Sequence, residues 1–291
     1  MDAAQTTAPA RPITEAPARP VSAQARPWHR RPWLVVGTLL RREYVRFIRQ
    51  KHRIFGALGQ PLIFLIILGG GLSGSFRNPG LMGEQNYFEY FFPGVLLMII
   101  MFTAIFSTIS IIEDRKEGFL QSVLVSPAPA WTIVLGKILG GSALAVTQAV
   151  VVLLMAPLFG IGFYALSWLS ALVFMILIAL ALTSLGHVIA WRMDSVQGYH
   201  ALMSVALFPM LLLSGAFFPQ AGATGWMKAI MTVNPLTYGL AALRHHLYLG
   251  ERAMAADLPS LTVAAVVTSA FVVAMLSLAI YVTRKPARVK S

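Results

Sequence analysis

Six apolar stretches dominate this sequence, near residues 54–72, 90–112, 138–160, 166–191, 200–218 and 261–283. Each reaches the roughly 20 residues that an α-helix needs to cross a bilayer. Hydrocarbon offers the backbone no water, so every N–H and C=O must be satisfied within the protein, and a helix does so with its own residues. The expected fold is an all-α integral membrane protein with six transmembrane helices. Only 12% of residues are charged, against about a quarter in soluble domains, which leaves little for water-facing parts. Pro61 and the Gly69-Gly70-Gly71 run predict an irregular outer end for the first span. Pro157 and Pro209 lie in the third and fifth, where neighbouring helices must satisfy the freed carbonyls.

The distribution of charge sets the orientation. With the amino terminus inside, 19 of the 23 lysines and arginines fall in the inner connections and four in the outer ones. The positive-inside rule then predicts both termini in the cytoplasm, as expected of a multi-pass protein of a bacterial plasma (inner) membrane. The net charge of +12 thus flanks the spans, where membrane lipid is the expected partner and nucleic acid is not. The chain has no cysteine, which excludes disulfides, thiolate catalysis and cysteine-based metal sites.

Residues 1–32 hold six prolines among Ala and Arg and are expected to be a disordered cytoplasmic tail. Residues 284–291 form a short basic tail, and 33–283 make up one membrane domain. Its first part, 33–53, has Trp33, Val36, Leu40, Tyr44 and Phe47 at steps of three and four. Arg41, Arg42, Arg46 and Arg49 fall largely elsewhere on the wheel. That pattern predicts an amphipathic interfacial helix with arginines toward lipid phosphate.

Between the second and third spans, the inner segment 113–137 opens with five consecutive ionisable residues, Glu113-Asp114-Arg115-Lys116-Glu117, followed by Gly118 and Phe119. The spacing predicts a helix of about three turns over Glu113–Val125, with acids at its amino end where the dipole favours them. Phe119, Leu120, Val123 and Leu124 cluster on one side. Ser126-Pro127-Ala128-Pro129 ends it, since each proline disfavours helix in the residue before it. The alternative is a solvated loop with fortuitous charges.

Three stretches together, "EDRKEGFLQSVLVSPAP", "VLGKILGG" and "LLLSGAFFPQAGATGWMKAIMTVNPLTYGLAALR", resemble the type-2 ABC transporter permeases, especially their drug-resistance exporter branch. The Ser214-Gly215 and Phe217-Phe218-Pro219 pattern ends the fifth span, and Trp226, Asn234-Pro235, Tyr238 and Arg244 follow in order. One departure is Thr224-Gly225, where many members have proline just before the tryptophan. The resemblance covers about 33–283. It implies a permease subunit that pairs with a second copy and with a cytoplasmic ABC ATPase, and that exports drug-like, lipid-like or glycolipid molecules. Glu113, Asp114, Arg115, Glu117, Gly118 and Phe119 then correspond to the coupling segment, with Trp33, Arg41, Arg42, Arg46 and Arg49 on the interfacial helix. Residues 219–245 correspond to an outer re-entrant gate carrying Phe217, Phe218, Pro219, Trp226, Asn234, Pro235, Tyr238 and Arg244.

The residues agree with this. Residues 219–244 are too apolar for a free loop, yet Gly and Pro break them into two short pieces. Asn234 is expected to cap the second piece, with Pro235 at its first helical position. One face of each is expected against spans five and six, with Ile230 and Leu240 shielded. Arg244 is expected near the outer headgroups, or on a carbonyl at the end of its own helix.

No phosphate-binding loop is present: Gly136-Lys137 is the only Gly-Lys pair, and Ile138 follows where Ser or Thr is required. ATP and magnesium are therefore expected on the partner, with no cofactor, catalytic or metal-binding residue here. The rival reading, a proton-coupled secondary transporter, needs ionisable groups near the midplane. His187 is the one candidate, and its position near Trp191-Arg192 predicts an interhelical hydrogen bond instead. Arg192 and Asp194 are expected to pair at the membrane interface.

Overall fold

A computed structural model of the chain describes residues 32–71, 87–124, 128–159, 161–162, 164–248 and 258–284. The two expected tails, 1–32 and 284–291, apart from Pro32 and Arg284, and most of the connection expected after the first span lie outside the described residues. The elements are α1 (Pro32–Arg49), α2 (Lys51–Phe64) with a π-helical turn Leu65–Gly70, α3 (Tyr87–Ser107), α4 (Ile109–Lys116), α5 (Phe119–Leu124) and α6 (Ala130–Leu153). They continue with a 3-10 turn Ala156–Phe159, α7 (Ala165–Ala190), α8 (Val196–Leu212), a 3-10 turn Gln220–Gly222, α9 (Gly225–Val233), α10 (Pro235–Leu247) and α11 (Leu261–Arg284). The described residues contain no strand.

Among the described residues, four helices are long and apolar enough to cross a membrane: Tyr87–Lys116, Ala130–Leu153, Ala165–Ala190 and Leu261–Arg284. A fifth is added if Pro32–Arg49 and Ile54–Gly70, bent by 68°, count as one broken span. α8 is apolar but has only 17 residues. It stops at Leu212 because Ser214–Pro219 leaves the helix, so the expected helical stretch 200–218 is shorter at its carboxyl end. α6 begins at Ala130, eight residues ahead of the expected third span, as extended Pro129 releases the chain into helix. The irregular end expected for the first span appears as the π turn at Leu65–Gly70.

α3 is the axis of the fold. From Phe91 to Met101 each of its residues is buried, with α6 and α7 against it; α11 packs on α7 and α10, and α1 on α6. The α1–α6 pairing depends on close approach: a Cβ at Gly136 would lie 2.7 Å from Leu39 Cβ, and one at Gly140 2.8 Å from Glu43 Cβ. Small residues four apart let two helix backbones meet in this way. The amphipathic helix expected over 33–53 therefore lies along α6, with Val36, Leu39, Glu43 and Phe47 buried.

Short polar links join the helices. Thr103 donates to Gln148 at 2.5 Å, Ser142 to Thr183 at 3.1 Å, and Thr108 shares a 2.7 Å bond with Tyr199. His187 Nε2 and Thr283 Oγ1 are 3.0 Å apart, the interhelical contact expected of that histidine.

Candidate functional site

At the carboxyl end of α4 the backbone turns sharply. Glu117 N–H donates to Glu113 O at 2.9 Å and Gly118 N–H to Arg115 O at 3.2 Å. Gly118 has φ +75°, a left-handed conformation that glycine adopts without a Cβ penalty and that commonly ends helices. The continuous helix expected over 113–125 is thus two pieces, with the charged residues closing α4 and Phe119 opening α5.

Asp114 is completely buried. The Arg42 fork donates to both of its oxygens, at 2.8 and 3.0 Å. Arg46 Nη1 donates at 2.8 Å and Lys137 Nζ at 2.5 Å. Lys137 also donates to Glu43 at 3.0 Å, as does Arg42, while Arg46 Nη2 reaches Glu113 at 2.9 Å. Three cations thus face three carboxylates in a cluster joining α1, α4 and α6. The expectation that Arg42 and Arg46 turn toward lipid phosphate is corrected: a buried carboxylate needs partners, and the α1–α6 approach brings the guanidinium groups to it. Asp114 is likewise not on a surface that another protein can touch.

Arg115, the next residue, points the other way. It donates to Trp191 O at 2.5 Å, Met193 O at 3.2 Å and Asp194 Oδ1 at 3.0 Å. A cation here meets the unpaired carbonyls at the carboxyl end of α7, where the helix dipole favours it. Asp194 therefore pairs with Arg115 across the chain. Beyond these two anchors the segment faces outward. The Glu117 side chain is 61% exposed, Gln121 and Ser122 are exposed, and the ring of Phe119 lies 3.7 Å beneath the Arg42 guanidinium.

The second constellation is the turn after α8. Gly215 has φ +87°, and the carbonyls of this non-helical stretch are met by side chains. Asn234 Nδ2 donates to Met210 O at 2.6 Å and Leu213 O at 2.9 Å, while its Oδ1 accepts from Leu236 N–H at 3.0 Å. One side chain thus caps the end of α8 and the start of α10, with Pro235 at the first helical position. Tyr90 O–H donates to Gly215 O at 2.7 Å and Tyr87 O–H to Phe217 O at 3.1 Å. Arg244 is buried and donates to Gly215 O at 2.9 Å and Tyr90 O at 3.3 Å, with its guanidinium 4.1 Å from the Tyr90 ring centroid. Its acceptors are carbonyls of α3 and of the turn after α8, not those at the end of its own helix; a buried charge is stabilised by such inward carbonyls. Phe217 is buried against Phe91, and Phe218 is exposed.

The two short helices of this region behave differently. α10 packs on α7, α11 and α3, so span five is not its support. Tyr238 O–H donates to Thr232 O at 2.7 Å and ties it back to α9. In α9 only Met231 is buried, whereas Trp226 is 66% and Ile230 45% exposed. Leu240 is shielded as expected and Ile230 is not. A separate half-enclosed cleft of about 310 Å³, between α2, α3 and α8, is lined by Gln60, Phe102, Thr103, Phe106 and His200 among others. Among the described residues no group of three or more His, Asp or Glu is placed to hold a metal ion.

Both constellations lie within residues 35–248, which match the family model described as ABC-2 type transporter. The chain belongs to that family. It is 27% identical over 209 residues to the transport permease ycf38 of Cyanophora paradoxa, covering 71% of each chain. It is 29% identical over 215 residues to nodulation protein J of Rhizobium leguminosarum bv. trifolii, covering 73% of this chain and 79% of that one. The daunorubicin resistance ABC transporter permease protein DrrB1 of Streptomyces coeruleorubidus is 26% identical over 208 residues, covering 63% of this chain and 64% of its own. Members of this ABC-2 family are transport permeases, and the chain is a multi-pass membrane protein of that kind.

Four site residues escape sequence reasoning: Glu43, Lys137, Tyr87 and Tyr90. Two left signals. Glu43 is the only acid in α1, and Lys137 is the last charge before the apolar run of α6. The tyrosines sit in an aromatic stretch that reads as ordinary apolar span.

Proposed function

We propose that this ABC-2 permease is the membrane subunit of an ATP-driven exporter. In this reading α2 with its π turn and α8 are also spans, giving six crossings with both termini cytoplasmic in a bacterial inner membrane. Two copies pair, and each binds one cytoplasmic ABC ATPase, which carries ATP and magnesium. The observation that carries the reading is the opposed anchoring of Asp114 and Arg115. One is locked to α1 and α6, the other to the end of α7, and between them they hold Glu117–Ser122 outward on a rigid mount. A rigid contact passes a displacement on to the helices behind it, as an ATPase-driven machine requires. The substrate is an amphiphile of drug-like, lipid-like or glycolipid kind. The cleft with Phe102 and Phe106 stacked at 5.8 Å beside His200, and the drug named in the DrrB1 relative, both support this.

The test uses the permease assembled with its ATPase in vesicles. Glu117→Lys and Gly118→Val are expected to lower substrate-stimulated ATP hydrolysis while the permease still inserts and folds. Unchanged stimulation in both variants sinks the coupling assignment. Transport should need ATP and survive an uncoupler; collapse on uncoupling favours the proton-coupled carrier.

A further inference from the structure

The run from Tyr87 to Lys116 breaks at one residue. Thr108 separates α3 from α4 with φ −74° and ψ −9°, and its N–H donates to Ile105 O at 3.1 Å, the tighter ring of a 3-10 turn. The Thr108 hydroxyl donates to the same carbonyl at 2.6 Å. That leaves Tyr199 O–H to donate to Thr108 Oγ1 at 2.7 Å, with Ile105 O a second acceptor at 3.1 Å. A side chain entering the backbone ladder is an ordinary cause of such a break. α7 closes the third side: a Cβ at Gly186 would lie 2.8 Å from Thr108 Oγ1 and 3.0 Å from the Tyr199 hydroxyl.

Tyr199 is completely buried, yet the helix that carries it is lightly held. α8 buries a single row, Tyr199, Met203, Leu207 and Leu211, about one residue per turn. Its other face leaves Leu202, Val205 and Phe208 exposed. Among the described residues, Tyr199 is the one α8 side chain hydrogen-bonded to another helix. The second fastening is at the carboxyl end, where Met210 O and Leu213 O accept from Asn234. Tyr199 and Met210 stand about 16 Å apart along the helix. A helix packed on one row and pinned at both ends shifts as a unit when either end moves, which is the shear motion of packed helices. Thr108 belongs to the helical run that carries Asp114 and Arg115, the two anchors of Glu117–Ser122.

We propose that Tyr199 is a positioning residue for transport. Its hydroxyl ties α8 to the break at Thr108, so a displacement of α4 driven at Glu117–Ser122 reaches the Asn234 cap and the Gly215 turn through α8. The inference rests on the transport reading and adds to it the route from the ATPase contact to the gate.

The test uses the permease assembled with its ATPase in vesicles, with Lys228→Cys as a reporter on α9, at an exposed position of a chain that has no other cysteine. The rate of modification by an impermeant maleimide is measured without nucleotide and with ATP plus vanadate. The reporter chain is expected to change rate between the two states. Tyr199→Phe, which removes one oxygen and keeps the ring, should shrink that change about fivefold, the factor that one lost hydrogen bond represents, while ATP hydrolysis is retained. Thr108→Ser keeps a hydroxyl at the break and should keep the full change. Met203→Ala, on the same buried row, removes packing but no link. It should lower the unfolding temperature more than Tyr199→Phe does and leave the rate change intact. A full rate change in Tyr199→Phe overturns the proposal. So does an equal loss in Met203→Ala, which reduces Tyr199 to packing. Loss of ATP hydrolysis in Tyr199→Phe also overturns it, by placing the residue in the ATPase contact rather than behind it. No rate change in the reporter chain itself removes the transport reading, and this inference with it.

Discussion

Replacing Asp114 by alanine removes the acceptor shared by three cations, and the exposure of each cation decides what that costs. Arg42 and Arg46 have side chains 31% and 23% exposed and can swing their heads toward water. Lys137, at 3%, cannot; it keeps only its 3.0 Å bond to Glu43. Removing one partner of a buried ion pair costs about 3–5 kcal/mol. With Glu43 remaining, Asp114→Ala is expected near the lower end, about 3 kcal/mol. Most of that belongs to the stranded lysine, so adding Lys137→Met should recover about 1–2 kcal/mol, within the usual range for coupled neighbours. Glu117→Ala, which removes an exposed carboxylate 3.8 Å from Arg46, should cost less than about 1 kcal/mol. Unfolding in mild detergent, followed by tryptophan fluorescence, compares the four proteins. If Asp114→Ala costs no more than Glu117→Ala, or if Lys137→Met recovers nothing, the cluster is not the buried network described.

Two further predictions concern the outer side. Asn234→Ala loses one helix cap and two donated bonds, about 1 kcal/mol each; thermal unfolding should therefore register a loss of about 2–3 kcal/mol, and Asn234→Asp should retain only the cap. Because the chain has no cysteine, single cysteines at exposed Lys228 and buried Leu240 can be probed with an impermeant thiol reagent: reaction from outside at the first and protection at the second are expected, equal reaction removes the re-entrant gate, and reaction only from the cytoplasm inverts the topology.

Local chemistry was readable in the sequence; distant pairing was not. Asn234-Pro235 carries its own instruction, a side-chain oxygen two residues before the amide it caps and a ring that presets the first helical residue. α7 and α11 fall within about a residue of their apolar runs, because a span ends where its apolar residues end. The spacing alone runs a helix through Gly118, where the structure instead ends α4 with a left-handed residue. The wheel of α1 put Arg42 and Arg46 off the apolar stripe without saying what lay opposite. Their acid is 72 and 68 residues away, and only the approach at Gly136 and Gly140 decides that they reach it. Arg244 failed for the same reason, since its carbonyls come from α3 and from the turn after α8.

The helical run from Tyr87 to Lys116 is fastened near both ends, by Tyr90 to the Gly215 turn and by Asp114 to the cluster on α1 and α6. Twenty-four residues of helix separate these points, about 36 Å, more than the roughly 30 Å of a typical hydrocarbon layer. A strut of fixed length cannot shorten when the bilayer thins, so it must lean. Leaning displaces its two fastenings in opposite lateral directions, so the acyl-chain length of the surrounding lipid pulls on the Asp114 cluster and the Gly215 turn together.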